Sequence, residues 1–436
     1  MTEPDTRSSG DPAETPAGAS AAAAAAAPTS TSTSTATATK AKAKAKLPRE
    51  VFVLALVAFC VALGFGIVAP AIPLFAETFG VSAFWASAVV SVFALVRLVS
   101  ALPAGLMVDR VGERTVLGIG LSIVAISSLL AGFSTSYPQL LVLRGIGGLG
   151  SAMFTVSSFG LLIRVVSPEV RGRAAGLYQS GFLLGGIVGP ALGGIVTTAS
   201  VRLPFFVYAG TLGAAALVSI TMLAGSKLRE RAVVTEDLGW KAVRVALASR
   251  AYVTALVVNF GSGFAAFGLR SALVPLFVVG VLHETPRLTG AGLLVSAVLT
   301  GALLWPAGRM SDLHGRRYPV IIGTAVTLLS LVLLALTSGP VLFLVAMAVL
   351  GAGAAFLGSA PAAIVADVGG GRRSGELVAT YQMTSDLGTI TGPLVAGAIV
   401  VASGSYAAGF AIGAIVVAAG LIMAIRMPET RIVAAA

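Results

Sequence analysis

Apolar and polar residues follow one another along this chain in long blocks rather than within single helical turns. Apolar runs fall near residues 51–75, 84–108, 115–134, 138–164, 174–198 and 203–225, and again near 251–279, 289–308, 318–338, 340–366, 376–401 and 404–426. Each is about the 20 residues that an α-helix needs to cross a hydrocarbon layer of roughly 30 Å. Helices apolar on every side belong in a protein interior or in lipid. The pattern predicts an all-α polytopic membrane protein with twelve transmembrane helices in two six-helix bundles. The domains expected are a low-complexity tail over 1–48, a first bundle over 49–225, a central loop over 226–250, a second bundle over 251–426 and a tail over 427–436.

Composition agrees with this pattern. Hydrophobic residues make up 56% of the chain and charged residues 11%, far below the roughly 25% charge of a soluble domain. The net charge of +11 would suggest a nucleic-acid partner in a soluble protein. Here the placement of Lys and Arg accounts for it. With the N-terminus in the cytoplasm, Arg202 and Arg287 alone fall on external segments, and Arg97, Arg144 and Arg270 fall within spans. The bias of Lys and Arg toward the cytoplasmic side places both termini in the cytoplasm of a cell membrane, with no nucleic-acid partner expected. The Ala/Ser/Thr-rich tail ends in Lys40, Lys42, Lys44 and Lys46 and has no signal-peptide pattern. Its lysines suit either anionic lipid headgroups or plain solvation. A single cysteine, Cys60, precludes an internal disulfide and reads as apolar filling of the first span.

The two halves repeat. A constant shift of 203 residues carries Pro103-Ala104-Gly105 onto Pro306-Ala307-Gly308, and Asp109, Gly112 and Arg114 onto Asp312, Gly315 and Arg317. The same shift carries Tyr178-Gln179 onto Tyr381-Gln382, and Gly185, Gly189, Pro190 and Gly194 onto Gly388, Gly392, Pro393 and Gly397. Parallel repeats of this kind imply a pseudo-two-fold axis along the membrane normal, with a site between the halves.

Charge inside the spans marks candidate chemistry. Of the 18 acidic residues, Asp386 lies deep in a span, the eleventh. An ionised Asp at a helix centre costs on the order of 3 kcal/mol, so Asp386 must face a cavity, pair with a cation or carry a proton. The last suits proton coupling, and a structural bond to a hydroxyl such as that of Thr384 is the alternative. Arg97, Arg144 and Arg270 carry a similar cost. Arg97 and Arg270 can snorkel, pair with Asp386 or bind an anionic group of a substrate. Tyr178, Gln179, Tyr381 and Gln382 are candidates for lining the site. So is Asn259, beside a stripe of Phe260, Phe264 and Phe267 that suits either an amphipathic substrate or helix packing.

Two loops and two helices carry recognisable motifs. "GLMVDRVGERTVL" (105–117) holds Gly105, Asp109, Arg110, Gly112 and Arg114 between spans 2 and 3. "GRMSDLHGRR" (308–317) holds Gly308, Asp312, Gly315, Arg316 and Arg317 between spans 8 and 9. "LLVLRGIGGLGSA" (140–152) surrounds Arg144 in span 4. Span 5 carries G-x8-G-x3-G-P-x2-G-G at Gly176, Gly185, Gly189, Pro190, Gly193 and Gly194. Together these resemble the major facilitator superfamily, and within it the twelve-span drug:proton antiporter-like exporters. Glu113 stands where the first loop motif usually has a basic residue, Gly147 where the span-4 motif often has glutamine, and span 1 lacks an acid.

The resemblance implies a secondary active transporter that works by alternating access. Arg144 matches an arginine associated with proton transfer, and the span-5 motif points to efflux of small amphipathic or hydrophobic compounds in exchange for protons. Export or facilitated diffusion of a sugar, amino acid or other metabolite is the alternative, and a non-transporting sensor of the same fold the second. Asp109 would pair with Arg114 or Arg173 as a gate that breaks when the halves rock, and Asp312 with Arg316 and Arg317 as its weaker copy. The stripe Gly181, Gly185, Gly189 and Gly193 with Pro190 reads as a bending, sliding helix face. No G-x-x-x-x-G-K-[ST], H-E-x-x-H or G-x-S-x-G pattern occurs, so nucleotide-driven transport and enzymatic activity are not expected. No cofactor or metal is expected, and the chain is expected to act as a monomer in the lipid bilayer on a small-molecule substrate.

Overall fold

The computed structural model describes residues 47–166, 171–223, 239–358, 360–369 and 375–430. The N-terminal tail, most of the central loop and the last six residues therefore lie outside the described residues. Among the described residues, twelve helices are long and apolar enough to cross a membrane, as the block pattern predicts. The first half comprises span 1 (Arg49–Glu77), span 2 (Ala83–Val108), span 3 (Glu113–Gly132), span 4 (Tyr137–Leu162), span 5 (Gly176–Ala199) and span 6 (Leu203–Met222). The second comprises span 7 (Arg250–Gly280), span 8 (Pro286–Ser311), span 9 (Arg317–Ala335), span 10 (Pro340–Val368), span 11 (Leu377–Ser403) and span 12 (Tyr406–Arg426). The spans alternate in direction, so the start of span 1 and the end of span 12 lie on one face, termed the terminal face below; the other is the far face.

Helix contacts follow the repeat. Span 1 packs on spans 5 and 6, span 2 on span 4, and span 3 on spans 4 and 6. Their equivalents pack likewise: span 7 on span 11, span 8 on span 10, and span 9 on spans 10 and 12. Between the halves, span 2 meets span 11 and span 5 meets span 8. These two contacts exchange under the 203-residue shift, as a two-fold axis requires. Each half has its own apolar core, around Leu54, Phe75 and Phe205 in the first and around Phe277, Phe343 and Phe410 in the second.

Three spans comprise more than one helix where the sequence alone predicts a continuous one; span 10 is described as Pro340–Leu357 and Ala360–Val368. In span 1 the helix stops at Val68 and resumes over Ala71–Glu77. Pro70 and Pro73 lack an N–H, which removes the usual hydrogen-bond donors to the carbonyls of Gly66 and Ala69. Span 7 runs as α-helix over Arg250–Ser262, widens to a π-helix over Gly263–Leu269 and returns to α-helix over Arg270–Gly280. The π segment rotates the residues beyond it, so the three-phenylalanine stripe does not hold one face. Phe264 is buried and tilts against Phe260, whereas Phe267 is 52% exposed. A further short helix, Gly239–Leu247, lies within the predicted central loop, with Val243 and Ala246 buried and Val245 exposed.

Close approaches between the halves cluster toward the far face. A Cβ added to Gly194 in span 5 would lie 2.7 Å from the Gly290 Cα of span 8, and one on Gly397 in span 11 would lie 3.0 Å from the Phe84 Cα of span 2. The Ser91 hydroxyl donates to the Ile390 carbonyl across the same seam at 2.8 Å. Toward the terminal face, Leu102 and Leu106 on span 2 and Trp305 on span 8 are exposed.

Candidate functional site

Midway along the seam, Arg97 of span 2 forms an ion pair with Asp386 of span 11. Of the three environments open to Asp386, the structure shows pairing with a cation, and the cation belongs to the other half. The pair is not sealed: the Arg97 side chain is 36% exposed and that of Asp386 20%. Pairing with Asp386 is one of the alternatives the sequence leaves open for Arg97 and Arg270, and which arginine takes it is visible only in the fold, because 289 residues separate the partners.

The other intramembrane arginines lack such a partner among the described residues. Arg144 is 3% exposed and stacks over the Phe93 ring of span 2 with its guanidinium carbon 4.5 Å from the ring centroid. Its Nε has no hydrogen-bond partner. Arg270 stands at the first helical position after the π segment, 5.8 Å from the Phe267 centroid. Cation–π contacts of this kind contribute roughly 0.5–2 kcal/mol, less than a buried guanidinium loses in hydration.

The paired Tyr-Gln positions divide their roles. Tyr178 is buried, with its hydroxyl 2.8 Å from that of Ser158 in span 4, and Tyr381 is buried as well. Gln179 and Gln382, next in sequence, are exposed. Asn259 is buried, and its amide donates to the Tyr381 carbonyl at 2.6 Å, tethering span 7 to span 11. The glutamines thus remain as polar lining candidates, while the tyrosines and Asn259 hold helices together.

The span-5 glycines face span 1 of their own half. Added Cβ atoms on Gly185, Gly189 and Gly193 would each lie 2.6 Å from a span-1 carbonyl oxygen, those of Phe59, Leu63 and Ile67. Gly176 has open space around it. Gly66 packs on Pro190, and Gly268, one residue short of its 203-shift equivalent, packs on Pro393, so spans 1 and 7 each meet the proline of their partner helix. Gly194, the last glycine of the motif, is the one that crosses to the other half.

At the terminal face, Gly112 and Gly315 have φ of 85° and 94°. Only glycine holds this backbone without strain, and it turns the chain from span 2 into span 3 and from span 8 into span 9. Gly105 is partly buried, Gly308 has no near neighbour, and Arg110 is exposed. The side chains of Asp109, Asp312 and Arg173 lie outside the described residues, so the gates expected around them do. Arg114 is engaged in further contacts. Arg316 pairs with Asp367 of span 10 at 3.2 Å and also donates to Ser311. Arg317 donates to the Ile425 carbonyl at 2.5 Å. The Glu429 carboxylate accepts from the backbone N–H groups of Arg316 and Arg317 at 2.7 and 3.0 Å, where a helix N-terminus favours negative charge.

The first half has the mirror arrangement with charges exchanged. Glu113, the departure from the loop motif, is buried and forms an ion pair with Arg164 at the end of span 4. The 203-residue shift carries Glu113 onto Arg316 and Arg164 onto Asp367. The substitution in the loop is therefore matched by a reversed partner on the neighbouring helix. Sequence reasoning missed Arg164, Asp367 and Glu429. The repeat offset, extended to the helix ends, holds the signal for the first two.

Residues 54–305 and 255–434 match the Major Facilitator Superfamily. The Quinolone resistance protein NorA of Staphylococcus aureus (strain Mu50 / ATCC 700699) is 25% identical over 259 residues, covering 56% of this chain and 64% of that protein, less than two thirds of its length. Multidrug resistance protein 1 of Bacillus subtilis (strain 168) is 27% identical over 279 residues, covering 62% of this chain and 70% of its own. Among solved structures, a bacterial homolog of the human lysosomal transporter Spinster, in an inward-facing and unoccupied conformation, superposes with a TM-score of 0.68. It is 17% identical, and the match covers 86% of this chain and 94% of that one. A peptide transporter POT superposes with a TM-score of 0.70 at 13% identity, covering 87% and 94%. Twelve spans in repeated halves among the described residues and a family match along nearly all of them lead to one conclusion: this chain belongs to the Major Facilitator Superfamily.

Proposed function

We propose that this transporter exports small amphipathic or hydrophobic compounds in exchange for protons, working as a monomer by alternating access. The bias of Lys and Arg places both termini, and so the terminal face, in the cytoplasm of a plasma membrane. With the halves drawn together near the far face, the central site then opens to the cytoplasm. The drug-resistance names of the two relatives support a substrate of drug-like chemistry.

The Arg97–Asp386 pair carries this reading. A proton on Asp386 removes one of the two charges that hold span 2 to span 11, and its departure restores the attraction. Proton binding and seam contact are thereby coupled at one carboxylate, the kind of local charge change that biases a two-state element. Asn cannot take up or release the proton. In inside-out vesicles, Asp386→Asn is expected to cut proton-driven uptake of the uncharged amphipathic probe dansylglycinamide at least about tenfold, with folded protein still in the membrane. Unchanged coupling in this variant removes Asp386 from the mechanism. The exposed Gln179 and Gln382 favour the second reading, in which a polar metabolite is moved, and substrate flux without proton movement would select it.

A further inference from the structure

Among the described residues, the interior of the spans holds three arginines and one aspartate, a formal charge of +2. The ion pair takes Arg97 and Asp386 out of this account. Arg144 is enclosed between span 4 and the Phe93 ring. Arg270 differs from it in accessibility, being partly exposed, and it sits beside a phenylalanine ring that is itself uncovered.

The position of Arg270 limits what its charge can face. The helix Arg270–Gly280 ends ten residues beyond it, about 15 Å at 1.5 Å per residue. This places Arg270 within the span, where a guanidinium turned to acyl chains is disfavoured. The same helix packs on span 2 and on the Ala71–Glu77 segment of span 1, so it belongs to the seam between the halves. The π segment presents Phe267 below the guanidinium, where a regular helix would leave it aligned with buried Phe264. A cation with free donors and an exposed ring, side by side at the seam, form a two-part receptor: one part for an anion and one for a flat apolar body.

We infer that the substrates are amphipathic organic anions, with a carboxylate on an aromatic or similarly flat body. Arg270 binds the carboxylate and Phe267 stacks on the body, while buried Arg144 adds uncompensated positive charge that favours the anion over a cation. This assignment rests on the export reading above and narrows its substrate class.

The test uses the full chain in nanodiscs of neutral phosphatidylcholine, so that no lipid headgroup supplies the anion. Three matched fluorescent probes are titrated: dansylglycine, its uncharged amide dansylglycinamide, and the cation dansylcadaverine. The native chain is expected to bind dansylglycine about tenfold more tightly than the amide and to bind the cation most weakly. In Arg270→Gln the carboxylate binds no better than the amide, Arg270→Lys keeps part of the preference, and Phe267→Ala weakens all three probes alike. Equal affinity of the native chain for the three probes overturns the inference, as does a carboxylate preference that survives in Arg270→Gln. Adding phosphatidylglycerol to the nanodiscs separates the sources of the anion: competition by this lipid, with no preference in its absence, assigns Arg270 to lipid and overturns the inference. If no probe moves on a proton gradient in inside-out vesicles yet the binding preference holds, the export reading fails and the carboxylate site stands.

Discussion

At the scale of residues, ion pairs among the described residues join different helices. Glu113 and Arg164 tie span 3 to span 4, and Arg316 and Asp367 tie span 9 to span 10. Glu113 is the buried member of its pair, and removing its charge takes away an ion-pair partner of Arg164. Glu113→Gln is therefore expected to lower the thermal unfolding temperature of the purified protein sharply. The double change Glu113→Arg with Arg164→Asp, which copies the polarity of the second half, is expected to recover most of the loss. No recovery would mean that Glu113 acts through something other than Arg164. Gly112→Ala forces φ of 85° on a side-chain-bearing residue, for about 1–2 kcal/mol, with a smaller shift in the same measurement.

At the scale of elements, the span-5 glycines act in two ways that the motif alone does not separate. The periodicity of Gly185, Gly189 and Gly193 shows that they share a face. The partner of that face, the backbone of span 1, is visible only in the fold. Gly185→Leu is expected to abolish accumulation of folded protein, because its side chain meets backbone of the same half. Gly194→Leu is expected to leave folded protein but slow transport, because it wedges the seam between the halves. Size-exclusion profiles together with vesicle uptake distinguish the two; equal loss of fold in both would deny Gly194 its separate role. The spans themselves were legible because a length of apolar residues is a local property. The π segment was not, since Gly263 and Gly268 read as ordinary small residues until span 11 is packed against them. Asp386 and Arg97 were each legible as costly charges, but their pairing required the arrangement of the halves.

At the scale of the whole molecule, the far face closes around small residues, with Gly194 against Gly290 and Gly397 against Phe84. Ser87 is fully buried beside Gly397, while Gln382 is exposed. With Cys60, the one native cysteine, replaced by Ser, a thiol at Gln382→Cys is expected to react with a membrane-impermeant maleimide from the terminal face. A thiol at Ser87→Cys is expected to react from the far face, and only while substrate and a proton gradient drive turnover. Constant reactivity at both positions would contradict alternation between two closed ends.

The exchanged polarity of the two ion pairs also bears on how a chain with two similar halves avoids confusing them. While the chain inserts, the hairpin of spans 3 and 4 and that of spans 9 and 10 offer each other nearly equivalent packing surfaces. Joining span 3 to span 10 would set Glu113 against Asp367, and joining span 9 to span 4 would set Arg316 against Arg164. Like charges set directly against each other disfavour the wrong pairing. Had both halves carried the same polarity, either mispairing would have matched plus with minus. The reversal at Glu113 gives each hairpin a key that fits its own half and rejects the other.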